Sequence, residues 1–211
     1  MENETVHIPG ARDVIGTVDA PIADAVTVAC PPHPEYRGNK DDARLTALAE
    51  KLGNNGIATL RFDYGEWDEG NGELTDTRNA IRWADSNFER VSLFGYSFGA
   101  GIATMAAADI DVDLEALSVL APVSTIDDTF NPVEALTSIE IPAQVVYGTR
   151  DDTADWEPYV DQARQLGMDV QQYSSDHFFV NQQAKVAETI ADFLLQWLLE
   201  DPDYHEQTEE L

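Results

Sequence analysis

A serine hydroxyl becomes a useful nucleophile only when it is lifted clear of the backbone and set beside a base. Gly95-Tyr96-Ser97-Phe98-Gly99 meets the first condition. Glycines two before and two after Ser97 let a strand reverse sharply into a helix, because a Cβ at either place would clash as the chain turns. The run follows the apolar segment Val91-Ser92-Leu93-Phe94. It leads into Ala100, Gly101, Ala103, Ala106 and Ala107, small residues suited to a closely packed helix.

The second condition is a base and an acid that orients it. Of the four histidines, His7 falls in the first predicted strand, His33 in a proline-rich loop and His205 in an acidic tail. His177 alone follows a late strand, in Ser174-Ser175-Asp176-His177-Phe178-Phe179. The buried-looking segment Val145-Val146-Tyr147-Gly148 runs into Thr149-Arg150-Asp151-Asp152 and offers two carboxylates. The chain order is then Ser, Asp, His. Such a set supports acyl transfer, with Ser97 attacking, His177 taking its proton and an aspartate steadying the imidazolium. Asp151 and Asp152 are rivals, since one step along a loop turns a side chain to roughly the opposite side.

Positioning these residues requires a sheet whose strand ends gather at one edge. Short β-branched runs are predicted as strands at 5–8, 14–19, 25–30, 57–62, 91–94, 117–120, 143–147 and 170–173. They alternate with helical patterns such as Leu45, Leu48, Ala49 and Leu52, and Ala187, Ile190, Leu194, Trp197 and Leu198. This predicts an α/β fold: a mostly parallel sheet of about eight strands, antiparallel at its entry, with helices on both faces. Residues 122–142, with two prolines and the acidic pair Asp127 and Asp128, leave room for at most a small lid. One domain is expected over 1–199, with 200–211 an acidic tail that frays.

Composition narrows the functional classes. No apolar stretch nears the roughly 20 residues that span a bilayer, and the N-terminus lacks a signal-peptide pattern, so a cytoplasmic protein is expected. The single Cys30 cannot form an internal disulfide and reads as a buried strand end. No histidine–carboxylate spacing suggests a metal, and no cofactor is called for. The net charge of −28, from 40 acidic and 12 basic residues, repels nucleic acid. The expected partner is a small acyl substrate, with no membrane and no nucleic acid; nothing in the sequence sets the oligomeric state.

Gly-Tyr-Ser-Phe-Gly, Tyr-Gly-Thr-Arg-Asp and Asp-His-Phe-Phe, in that order, resemble the three catalytic segments of the α/β-hydrolase superfamily, over nearly the whole chain. Residues 31–42, beginning Pro31-Pro32-His33-Pro34, are similar to the His-Pro-His-Pro loop of small capless hydrolases, and Arg61-Phe62-Asp63-Tyr64 to the family's next strand end. The resemblance places the acid at the third residue after the strand-ending glycine, Asp151. It implies a backbone oxyanion hole from Phe98 and a second N–H in the 31–42 loop. Prolines have no N–H, leaving His33, Glu35 or Tyr36, and alignment of Pro31-Pro32 with the family dipeptide selects His33. After Asp63-Tyr64 the chain departs from the family's glycine-rich segment, and Trp67 there is either a pocket wall or part of a solvated acidic loop. The resemblance implies a serine esterase or thioesterase, with a small peptidase or lactone hydrolase as alternatives. Serine rather than cysteine at position 97 weakens the dienelactone type, and a non-catalytic ligand-binding module is the reading from another class.

The acidic excess, with only Lys40, Lys51 and Lys185 as lysines, resembles cytosolic proteins of salt-accumulating halophilic archaea. Molar salt shortens the screening length to about 3 Å and removes most of the self-repulsion that opposes a compact state. The expected result is a melting temperature that rises from dilute buffer to molar KCl. Equal or higher stability in dilute buffer would refute a high-salt adaptation.

Overall fold

The computed structural model describes residues 2–126 and 129–199. Asp127, Asp128 and the acidic tail from Glu200, His205 included, lie outside the described residues. The strands are β1 (Asn3–Ile8), β2 (Val14–Asp19), β3 (Ala25–Cys30), β4 (Ala58–Phe62), β5 (Arg90–Tyr96), β6 (Leu117–Leu120), β7 (Ala143–Gly148) and β8 (Asp169–Tyr173). They form one sheet in the order β1-β2-β4-β3-β5-β6-β7-β8. The β1–β2 and β2–β4 pairs are antiparallel, and every later pair is parallel.

Among the described residues six α-helices connect or follow these strands: α1 (Ala43–Gly53), α2 (Asn71–Asp85), α3 (Phe98–Ala107), α4 (Pro132–Ala135), α5 (Glu157–Gln165) and α6 (Gln183–Leu199). Asp42 caps α1 by accepting from the Arg44 N–H at 2.9 Å. Successive residues of the buried β3 strand serve opposite faces. Ala25 and Ala29 pack with Leu45, Leu48 and Leu52 of α1 and with Ile190 and Leu194 of α6. Val26, Val28 and Cys30 pack with α2, α3 and α5 through Ile81, Ile102 and Val160. The predicted helical stripes are thus the buried stripes, save for Trp197, which is half-buried, and Cys30 is fully buried at the end of β3, its thiol pushed up to about 12 by that burial.

The order β4-β3-β5 sets the position of any site. Chain leaving β3 goes to one side of the sheet centre and chain leaving β5 to the other, so the carboxyl ends of these neighbours open a crevice. Among its described residues the β6–β7 connection contributes only α4 and a 3₁₀ turn at Leu136–Ser138, in keeping with the expected small lid. Among the described residues no helix is long and apolar enough to cross a membrane.

Buried charge shapes the loop between β4 and α2. The Glu73 and Asp76 side chains are wholly buried in the first turns of α2. Arg12 Nε donates to Asp76 at 2.9 Å, and its Nη2 lies 3.6 Å from Glu73. Asp76 also accepts from the Gly65 N–H at 2.9 Å, while Glu73 accepts from Asp68 at 3.1 Å and Gly70 at 2.9 Å. These bonds curl residues 65–70 over the helix start. Removing the guanidinium leaves two buried carboxylates without their cation, so Arg12→Ala is expected to cost about 3 kcal/mol in urea denaturation. A loss below about 0.5 kcal/mol would mean that Arg12 does not stabilise this loop.

Candidate active site

Ser97 sits between β5 and α3 with φ 58° and ψ −120°, a region that costs a non-glycine residue on the order of 1–3 kcal/mol. Two close approaches impose that turn. A Cβ on Gly95 would lie 2.3 Å from the Gly99 carbonyl oxygen, and one on Gly99 would lie 2.3 Å from the Pro31 and 2.4 Å from the Cys30 carbonyl oxygens. Both positions therefore require glycine. The Ser97 N–H donates to the Leu120 carbonyl at 2.9 Å, pinning the turn to β6. Phe98 is the first residue of α3, where a backbone N–H has no partner within the helix.

The three residues expected to act together meet at this turn. His177 Nε2 lies 2.9 Å from Ser97 Oγ, and His177 Nδ1 lies 2.7 Å from Asp151 Oδ2. The imidazole is buried, and the Asp151 side chain has no exposed surface. Burial alone would favour the neutral acid. The bond from His177 and those from the Ala154 and Thr153 N–H groups to Oδ1, at 3.0 and 2.9 Å, outweigh it and hold the carboxyl below its usual range. An ionised Asp151 can only accept, so Nδ1 carries the ring hydrogen and Nε2 is left to accept from Ser97 Oγ. Asp152, the rival acid, is exposed.

The 31–42 loop forms the opposite wall. Within it the Glu35 N–H donates to His33 Nδ1 at 3.3 Å, the Tyr36 N–H to the His33 carbonyl at 3.1 Å and the Gly38 N–H to the same oxygen at 3.0 Å. Of the three residues left open for the second oxyanion donor, Glu35 and Tyr36 have their hydrogens taken up inside the loop. A Cβ on Gly38 would lie 2.1 Å from the Pro32 carbonyl oxygen, which accounts for that glycine. Arg61 anchors the far end, donating to Asp19 at 2.6 Å, to the Lys40 carbonyl at 2.6 Å and to Asp41 at 3.1 Å. The Asp63 carboxylate takes the Lys40 N–H at 2.8 Å and its ammonium group.

Between these walls lies a cleft of about 510 Å³ reaching Ser97, lined also by His33, Tyr36, Trp67, Glu69, Phe98, Val123, Thr125, Ile126 and Thr153. The His33 ring has its centroid 4.4 Å from Trp67, 4.7 Å from Phe98 and 4.8 Å from Tyr36. Trp67 is therefore a wall of the cleft rather than part of a solvated loop. Burial among these rings disfavours the protonated imidazole of His33, against a weaker opposing pull from Glu35.

Three supporting features escape the linear motifs. Tyr96 Oη donates to the His177 carbonyl at 3.1 Å, and its ring stacks 5.4 Å from the imidazole with the Arg44 guanidinium 4.5 Å from its own centroid. Trp156 Nε1 donates to the Asp151 carbonyl at 3.0 Å. The Thr153 and Ala154 donors are the third feature, and only these carried a local signal, because aspartate commonly accepts from the backbone two residues on. Tyr96 and His177 are 81 positions apart, and no spacing rule connects them.

No family model matches the chain. An uncharacterized protein of Rickettsia prowazekii is 26% identical over 198 residues, a match that spans 84% of this chain and 79% of that protein. Among solved structures, a serine hydrolase without lid from Xanthomonas campestris matches with a TM-score of 0.78 at 23% identity, covering 95% of this chain and 97% of the other. A serine hydrolase homologue from Coxiella burnetii matches with a TM-score of 0.76 at 25% identity, covering 92% and 98%. The eight-stranded, mostly parallel sheet, the helices on its two faces and these likenesses together identify the α/β-hydrolase fold.

Proposed function

We propose that this protein is a serine hydrolase that cleaves a small ester, thioester or related acyl bond through an acyl-enzyme on Ser97. The observation that carries the reading is the continuous contact from Ser97 Oγ through His177 to a buried Asp151 at the base of an accessible cleft. Ser97 Oγ attacks the acyl carbon while its proton passes to His177 Nε2, and Asp151 stabilises the imidazolium. The leaving alcohol or thiol departs with that proton. Water then repeats the sequence, giving its proton to His177, attacking the acyl carbon and returning Ser97 to the free enzyme.

The negative charge that develops on the acyl oxygen falls to the backbone N–H groups of Phe98 and His33, each worth about 3 kcal/mol in such a role. The position of Phe98 at the start of α3 and the engagement of Glu35 and Tyr36 within their own loop support this pair. The likeness to proteins described as serine hydrolases supports the reaction class. A high-salt working medium remains part of the proposal, resting on the charge of −28.

Labelling with a fluorophosphonate probe in molar KCl is expected to modify wild type at Ser97 alone and to vanish in Ser97→Ala, as mapped by mass spectrometry. Folded wild-type protein that takes no label would overturn the enzyme reading in favour of a ligand-binding module. On a panel of short esters, Asp151→Asn is expected to lower kcat by about 10³- to 10⁴-fold, because the imidazole loses its enforced tautomer. Asp152→Asn should change kcat by less than about threefold, as expected of an exposed side chain outside the relay. The reverse pattern would transfer the acid role to Asp152.

A further inference from the structure

We propose that the cleft selects substrates bearing an ammonium-type cation, seated against the rings of Trp67 and Tyr36 beside the Glu69 carboxylate. This rests on the acyl-transfer reading of Ser97 and adds the substrate class. Three observations converge on it.

First, among the described residues Glu69 is the one lining the cleft that carries a formal charge, and no lysine or arginine lines it. An anionic acyl or leaving group would find no counter-charge there and would meet a protein of net charge −28. Second, the same cleft presents aromatic faces. Trp67 is half-buried against His33, whereas Tyr36 keeps 83% of its surface exposed and is free to cover a ligand. Rings of this kind attract ammonium and quaternary ammonium groups through their negative faces, most strongly where water is excluded. Third, the backbone that carries this carboxylate is held in place. Glu69 has a φ of 52°, unusual for a residue with a side chain, and the buried Glu73 fixes both flanking N–H groups, those of Asp68 and Gly70. Among the described residues no cation pairs with Glu69, so its charge is available to a ligand.

The probe is a choline ester of a short acid, compared with its uncharged isostere, the 3,3-dimethylbutyl ester of the same acid. Both are measured in the lowest KCl that keeps the protein folded. Wild type is expected to favour the choline ester in kcat/KM by about tenfold, the range available to an aromatic site with a carboxylate. Glu69→Gln should cut that preference about threefold or more, by an amount that shrinks in molar KCl, because the lost term is electrostatic. Trp67→Leu should cut it at both salt levels. Asp113→Asn, which removes an exposed carboxylate outside the cleft, should leave the preference intact.

Equal rates for the two esters would overturn the proposal. So would a preference unmoved by Glu69→Gln and Trp67→Leu, or one lowered as much by Asp113→Asn as by Glu69→Gln. Calorimetric titration of Ser97→Ala with both esters separates this inference from the reaction it rests on. Tighter binding of the choline ester, with wild type unable to turn over either ester, would sink the acyl-transfer reading and keep cation recognition. Equal binding of the two, with wild type hydrolysing both, would do the reverse.

Discussion

The structure turns on a place where three backbone segments come too close for side chains. At the end of β5 the chain reverses through Ser97 so tightly that Gly95 faces the backbone of Gly99, and Gly99 faces the carbonyls of Cys30 and Pro31. This contact presses α3 against the carboxyl end of β3. It holds Ser97 in a conformation that costs energy and therefore persists only because its surroundings enforce it. It also brings the first N–H of α3 and the 31–42 loop to the same edge of the sheet. Positive φ values outside glycine recur around this edge, at Arg37, Glu69, Ser97, Ala121 and Phe179.

The second organising influence is the placement of scarce positive charge. With 12 basic residues against 40 acidic ones, most carboxylates must rely on solvent and salt. Arg12 and Arg61 are instead directed inward. Arg12 joins the entry strands to the buried acids of α2, and Arg61 joins β4 to Asp19 and the 31–42 loop. Each arginine fixes one of the loops that wall the cleft. Ion pairs of this kind are limited net contributors to stability, but loss of one partner is costly, so they specify loop geometry. The geometry around Ser97 thus depends on cations that do not themselves line the cleft.

Much of this arrangement was legible in the residues themselves. The eight strands fall where the β-branched runs predict them to within one residue, except that β1 starts two residues earlier, at Asn3, and β5 is carried two residues further, through Gly95 and Tyr96. The buried stripes of α1 and α6 follow the apolar period, with Trp197 at the half-buried margin rather than in the centre. What the runs did not carry is the sheet order. That β4 lies between β2 and β3, and pairs antiparallel with β2, arises from contacts between segments about forty residues apart.

The same division applies to the site. The sharp turn at Ser97, its glycines and the order of serine, aspartate and histidine are local facts, because turn sterics act within a few residues and leave their mark on adjacent positions. The sequence by itself therefore determined which serine could be lifted and which histidine could follow it. Only the tertiary structure separated Asp151 from Asp152, one buried against the imidazole and the other in solvent. Only it closed the Glu35 and Tyr36 N–H groups inside their loop, laid Tyr96 against His177 and turned Trp67 and Glu69 into the cleft. Those outcomes depend on burial and on partners tens of residues away, and neither is encoded in spacing along the chain.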